Sequence, residues 1–252
     1  MVITNAVVSQ SYALENSVIM MKLHAPEIAR SARPGQFCNI RISSSSSPLL
    51  RRPFSICEAE GEYISFLFNI FGEGTKLLSA KKPGETVDIL GPLGNGFDLE
   101  GDFETAVIVA GGIGAAPFPF LLSKLDPEKM VYTFLGARSS RYIIKYGLKN
   151  ELIATDDGTV GFKGNVIELL NANMQILSSS RIKIFGCGPT PMLRALQDFS
   201  LKNNFHCELS TETAMACGFG ICQGCPIEAA DKDGYYLVCK DGPVFDARRV
   251  KI

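Results

Sequence analysis

Eight cysteines are the first residues whose type and placement could do chemistry, and they are unevenly spread. Cys38, Cys57, Cys187 and Cys207 are scattered, whereas Cys217, Cys222, Cys225 and Cys239 share one glycine-rich stretch, ACGFGICQGC…VC. Thiolates are soft donors, and three of them within one short loop can converge on a metal. Gly218, Gly220 and Gly224 lie between them. Glycine accepts the positive φ that a tight curl demands and lets backbone N–H groups approach sulfur. Such a set can hold either a two-iron sulfide cluster or a structural zinc ion. Zinc favours two separated Cys-x2-Cys knuckles, and only Cys222–Cys225 has that spacing. The four scattered cysteines are expected to be small core residues.

The spacing Cys217-x4-Cys222-x2-Cys225…Cys239 matches the one with which plant-type ferredoxins hold a [2Fe–2S] cluster. Four thiolates and two sulfides leave that cluster negative even with both irons ferric. Amides aimed at the sulfurs therefore raise its potential.

Other motifs carry arginine or glycine where a phosphate could sit. Arg51-Arg52-Pro53-Phe54-Ser55 follows a serine-rich loop, and Gly72-Glu73-Gly74-Thr75 precedes a helix expected from about Thr75. An arginine fork can clamp a pyrophosphate, and glycine turns present free N–H groups to anions. Taken singly, these are equally a basic strand start and a tight turn. Gly111-Gly112-Ile113-Gly114-Ala115-Ala116-Pro117 stands between an apolar strand and a helix, the setting in which a glycine loop meets a dinucleotide. Pro117 takes the place of a third glycine, so this is not the conventional G-x-G-x-x-G loop. Gly186-Cys187-Gly188-Pro189 closes a later strand, where the plain reading of Cys187 is a buried small residue. Thr155-Asp156-Asp157-Gly158 reads as a solvated turn or as a ribose site. Carboxylates there would repel the 2′-phosphate of NADP and accept from a free hydroxyl, which favours NAD. Arg138 and Arg141 are the residues that could instead receive a phosphate.

The elements that must position these motifs fall into three regions. Residues 1–98 carry short β-type runs, such as Ser17–Leu23, Gly35–Ile42, Tyr63–Ile70 and Thr86–Leu90, separated by turns at Pro34-Gly35 and Pro83-Gly84. That spacing predicts an antiparallel barrel or sandwich, with Ser43–Ser47 as a solvated loop. Residues 99–205 alternate strands (Ala106–Ala110, Val131–Gly136, Arg181–Phe185) with helices (Phe118–Leu125, Met192–Asn203), the signature of a parallel sheet covered on both faces. Residues 206–252 have little helical periodicity and many glycines, and are expected to need a metal centre to hold their shape. The fold class is thus mixed: an antiparallel β-barrel, an α/β parallel-sheet domain and a small C-terminal iron–sulfur domain.

Taken together the motifs resemble the ferredoxin–NADP reductase superfamily. Arg52-Pro53-Phe54-Ser55 is similar to its Arg-x-(Tyr/Phe)-(Ser/Thr) flavin motif, and Gly72, Gly74 and Thr75 fall in its second FAD-phosphate loop. Gly91-Pro92-Leu93-Gly94 is similar to the segment closing its barrel. Gly112 and Gly114 match its nicotinamide dinucleotide loop, and Cys187 its Cys-Gly-Pro segment near the nicotinamide. With the C-terminal cysteines, the whole chain resembles the electron-transfer subunits of type B dihydroorotate dehydrogenases. The resemblance implies FAD, a [2Fe–2S] cluster on Cys217, Cys222, Cys225 and Cys239, and NAD. It also implies a catalytic FMN-containing dihydroorotate dehydrogenase partner, in a heterotetramer, whose electrons reach NAD+ through cluster and FAD. No residue is then needed as a catalytic acid or base. Other flavin/iron–sulfur NAD(P) oxidoreductases, of sulfide or ferredoxin–NADP reductase type, share the flavin and nicotinamide motifs.

Composition agrees with this and removes competitors. Twenty-five Lys and Arg against 26 Asp and Glu give a net charge of −1, which leaves no basic excess for nucleic acid. No apolar run is long enough to span a membrane, and MVITNAVVSQ lacks the basic and apolar regions of a signal peptide. A cytoplasmic location is expected. Neither His24 nor His206 sits in a motif, so both are expected to be exposed or hydrogen-bonded surface residues.

Overall fold

The computed structural model describes residues 1–14, 18–43, 48–178 and 181–252. Residues 44–47 of the serine run lie outside these. The N-terminal part is one antiparallel sheet of β1 (Val2–Ala13), β2 (Val18–His24), β3 (Phe37–Arg41), β4 (Arg52–Ser55), β5 (Glu58–Glu60), β6 (Tyr63–Asn69) and β7 (Thr86–Leu93), in the order β4-β3-β7-β1-β2-β6-β5. Short helices α1 (Pro26–Ser31) and α2 (Glu73–Ser79) are interspersed. The sheet curls until Phe54 on one edge meets Phe66 and Phe68 beside the other, with ring centroids 6.2 and 5.4 Å apart. This is the expected barrel.

β2 explains why Val18–Met21 is so uniformly apolar. Successive side chains of a strand face opposite ways. Ile19, Met21 and Leu23 point into the barrel core, while Val18 and Met20 pack outward against the second domain. A strand buried on both faces has no polar face to alternate with.

The second sheet contains β8 (Thr105–Gly111), β9 (Met130–Ala137), β10 (Glu151–Thr155), β11 (Phe162–Lys163), β12 (Ile182–Cys187), β13 (His206–Ser210) and, after the two-stranded ribbon β14 (Pro226–Glu228) and β15 (Tyr235–Leu237), β16 (Val244–Asp246). Its order is β11-β10-β9-β8-β12-β13-β16, parallel except for β16. Helix α3 (Phe118–Lys124) covers one face, while α4 (Val166–Ala172), α5 (Met174–Ser178) and α6 (Thr190–Lys202) cover the other. β8 is buried throughout, with Ile108 on the barrel side and Val107 and Val109 on the α6 side.

The sheet continues past the division expected between residues 205 and 206. β13 pairs with β12 over Lys183–Cys187, and β16 pairs with β13, so both belong to this sheet. The short run HCELS has no following helix to mark it as a parallel strand, which hides it in the sequence. The cysteine-bearing lobe is therefore a loop between two strands of the α/β sheet.

The three parts meet at Asn95–Asp98. Asn95 donates to the carbonyls of Lys240, Asp241 and Gly242. The Phe97 N–H donates to the Pro34 carbonyl, and its ring packs on Phe118 and Phe185. Lys183, 1% exposed, donates to the Asp98 carbonyl at 2.6 Å and pairs with Glu208 at 3.1 Å. Glu208 in turn accepts from the Asp98 N–H at 3.0 Å. Burial pushes the Glu208 carboxyl up although Lys183 opposes it. Removing Lys183 would cost about 3–5 kcal/mol, because the Glu208 charge is stranded, whereas Lys183 without Glu208 would keep Asp98 at 3.3 Å.

Candidate functional site

The barrel motifs, distant in sequence, share a cavity of about 370 Å3 lined by Arg52, Pro53 and Phe54 together with Gly72, Gly74 and Thr75. Gly74 is so close that a Cβ there would lie 3.9 Å from Arg52 Nε. Gly72 takes φ +138° with open space beside it. The Thr75 hydroxyl accepts from the Phe71 N–H at 2.7 Å and donates to the Gly72 carbonyl at 3.2 Å, fixing the turn. The two neighbouring arginines divide their labour. Arg51 grips both oxygens of Asp88 at 2.8 Å and is spent on the fold. Among the described residues Arg52 donates to the backbone carbonyls of Leu50 and Arg51, which leaves donors for a ligand. An anionic, phosphate-bearing group fits this donor set.

The two glycine-containing loops of the α/β sheet also meet. Ala110 and Cys187 are partners at the carboxyl ends of β8 and β12. The chain goes from β8 to β9 on one side, and β12 lies on the other. Such a reversal opens a crevice at the strand ends where dinucleotides bind. Gly112 lies at φ +53° facing open space. Gly114 is pressed on the other loop: a Cβ would fall within 2.6 Å of both the Cys187 carbonyl carbon and Gly188 Cα. Cys187 is buried, 3% exposed. Burial pushes its thiol up to about 12, Glu212 adds to this and the Ser210 hydroxyl opposes it.

Between the barrel and these strand ends is a smaller cavity, about 110 Å3, where Pro53 and Ser55 face Ser210, Thr211 and Glu212. Met215 and Pro243 of the cysteine lobe line it too, so all three parts contribute. Protein around the Glu212 carboxyl, which is still open to the cavity, pushes it above the usual carboxylate range. Sequence reasoning does not single out Ser210, Thr211 or Glu212. The available signal is a polar run closing an otherwise buried strand.

The four C-terminal cysteines come together as two pairs. Cys225 and Cys239 are buried, with sulfurs 3.1 Å apart. Cys217 is half-buried and receives the Cys222 N–H at 3.5 Å, while Cys222 is exposed. Desolvation pushes the Cys217 thiol up, but amides of Cys222, Phe219 and Ile221 outweigh it and bring it down to about 6. The Cys239 N–H points at Cys225 Sγ, and the Gly220 amide at Cys239. Among the described residues, no group of three such side chains is close enough to hold one metal ion. Two pairs under an amide canopy suit a two-iron centre, two thiolates to each iron, better than one tetrahedral zinc. Asn39 of β3 anchors the loop: its amide donates to the Cys217 carbonyl at 3.4 Å, and it occupies the space a Cβ on Gly218 would need.

The remaining cysteines Cys38, Cys57 and Cys207 are buried, as expected. His24 pairs with Glu62 at 3.1 Å and His206 with Asp246 at 3.5 Å, both near the surface.

Fold and site together define a reductase of the ferredoxin–NADP reductase type with an added cysteine lobe. The chain is similar in structure to an NADH-dependent reduced ferredoxin–NADP oxidoreductase (TM-score 0.86, 25% identity, covering 98% of this chain and 90% of that one). It also shares the fold of a Neisseria gonorrhoeae ferredoxin–NADP+ reductase (TM-score 0.65, 17% identity, 79% and 91% covered). The profile of the iron–sulfur cluster binding domain of dihydroorotate dehydrogenase B matches residues 212–251. In sequence the chain is 39% identical to the dihydroorotate dehydrogenase B (NAD(+)) electron transfer subunit of Caldanaerobacter subterraneus subsp. tengcongensis, with 88% of each covered. It is 41% identical to the subunit so named in Bacillus pumilus, with 86% of each covered. The chain belongs to the family of dihydroorotate dehydrogenase B electron transfer subunits.

Proposed function

We propose that this chain takes the electrons released when a catalytic, FMN-bearing partner oxidises dihydroorotate, and delivers them to NAD+ in pyrimidine biosynthesis. When bound, the [2Fe–2S] cluster exchanges single electrons, nicotinamide exchanges hydride, and FAD links the two by doing either. The chain's own share is to hold and orient. Arg52, Gly72, Gly74 and Thr75 would hold the FAD pyrophosphate, with Pro53, Phe54 and Ser55 along the flavin. Gly112, Gly114 and Cys187 would seat the nicotinamide dinucleotide, and Cys217, Cys222, Cys225 and Cys239 would ligate the cluster. In this division residues 1–98 serve FAD and the α/β sheet serves NAD. The observation that supports the reading best is the cavity between Ser55 and Ser210–Glu212, to which all three parts contribute.

The location we propose is the cytoplasm. None of the eight cysteines is in a disulfide, as suits a reducing compartment. Among the described residues no helix is long and apolar enough to cross a membrane.

The test is co-expression with the catalytic partner and measurement of dihydroorotate-dependent NAD+ reduction by the loaded complex. Robust reduction is expected. Failure in a complex with full flavin and iron would remove the pyrimidine assignment. Co-purification with a ferredoxin- or sulfide-linked partner instead would give the chain to another flavin/iron–sulfur oxidoreductase.

A further inference from the structure

Asn39 stands where the barrel meets the cysteine lobe, and it is wholly buried. In β3 it lies opposite Pro53 of the arginine–serine motif on one side and Leu90 of β7 on the other. Its backbone carbonyl accepts from Arg51 Nη1 at 3.4 Å, and the same arginine grips Asp88. Its side chain enters the lobe. Nδ2 donates to the Cys217 carbonyl at 3.4 Å, and a Cβ on Gly218, which turns at φ +82°, would overlap the same amide. Among the described residues Asn39 Oδ1 has no hydrogen-bond partner.

A buried acceptor without a donor lowers stability, and a leucine of similar shape would carry no such cost. Beside Asn39 the barrel meets the lobe through apolar side chains, with Phe37, Leu90 and Leu93 in one cluster with Cys225 and Cys239. Packing therefore does not call for an amide at this place. What the amide adds is a donor turned toward Cys217, the sulfur on which the backbone amides of Cys222, Phe219 and Ile221 already converge. Donors facing the thiolates of an anionic iron–sulfur centre favour its reduced, more negative form and so raise its potential.

We propose that Asn39 is a positioning residue for the electron step: from the strand paired with the flavin motif it holds the Cys217 corner of the cradle and raises the cluster's potential through its amide. The inference rests on the reading of Cys217, Cys222, Cys225 and Cys239 as cluster ligands. It is tested on the full chain loaded with FAD and cluster, by a redox titration followed through the EPR signal of the reduced cluster. Asn39→Leu removes the amide dipole, and Asn39→Asp replaces the donor with a negative acceptor. At a poise where half of the wild-type clusters are reduced, the ratio of reduced to oxidised should fall in Asn39→Leu. It should fall further in Asn39→Asp, by about tenfold or more, the size of effect that outer-shell contacts have at metal centres. After mixing with NADH, bleaching of the cluster should slow in the same order. The unfolding midpoint of Asn39→Leu should stay or rise, which a merely structural role would not allow. Gly218→Ala, whose Cβ displaces the amide without altering it, should lower the ratio as well. Wild-type ratios in both Asn39 variants or in Gly218→Ala overturn the assignment while leaving the cluster standing, as does a lower midpoint in Asn39→Leu with no change in ratio. A wild-type chain that takes up no iron overturns the cluster reading itself, and the assignment with it.

Discussion

Two cysteine-bearing regions of this molecule are built in opposite ways. Cys187 ends a central strand, packed between the Gly114 loop and Ser210. Cys217–Cys225 is a loop whose three sulfurs, with that of Cys239, stand in two pairs, one of them open to solvent, and it is shaped by glycines at φ +82° and +92° and by Asn39. The first is a preformed wall, held by sheet hydrogen bonds and packing. The second is a cradle that a ligand would finish, set beside a small apolar cluster of Ala229, Tyr236, Leu237 and Val238.

The largest effect that would break this comparison is expected from Cys222→Ser. Iron content and partner-driven NAD+ reduction should fall by about two orders of magnitude or more, since even lost supporting contacts around metal ligands cost 10–100-fold. NADH oxidation by an artificial acceptor should survive, because the Cys187 corner does not depend on the cluster. Loss of both activities would show that the two regions form one unit.

Gly114→Ala probes the other side. Its Cβ would fall 2.4 Å from the Cys187 carbonyl oxygen, so the two strand-end turns must part. We expect a loss of about 1–3 kcal/mol, as for other overpacked sites, with weaker NADH binding and unchanged iron content. Unfolding curves, NADH titration and metal analysis read the three separately.

A smaller contrast lies in thiol reactivity. In cluster-free chain, iodoacetamide should label the exposed Cys222 and the half-buried Cys217 at once. Cys187, whose thiol burial pushes up to about 12, should react only on unfolding. Mass spectrometry of timed samples checks this, and early modification of Cys187 would mean that its corner opens.

The smallest expected effect concerns pH. Burial, then Lys183, lowers the affinity of His206 for its proton, with Asp246 opposing. The folded chain thus binds this proton less readily than the unfolded one, so acidification through the histidine range favours unfolding. The thermal midpoint should fall modestly between pH 7 and about 5.5, and His206→Gln should flatten that slope.

What could be read in the sequence is what needs only local spacing. The cysteine loop, the arginine–serine motif and the glycine loops each depend on neighbours a few residues away, and the cavities bring together the motifs expected to act together. The long-range contacts were hidden. Asn39 reaching Cys217, Lys183 buried on Glu208, and Glu212 beside Ser55 are pairings that only the completed topology creates. β13 and β16 are hard to see for the same reason: three to five residues of strand, without a following helix, carry no periodicity that distinguishes them from loop.

The antiparallel β16 has a consequence for how the protein is made. It pairs with β13 but follows the whole cysteine lobe in the chain, so during synthesis the flank of β13 stays bare until that lobe has emerged. An uncovered strand flank is a template for mispairing with other chains. A nascent or truncated polypeptide stopping before Val244 would carry that sticky border, which makes timely assembly of the iron-binding segment a matter of solubility as well as of redox chemistry.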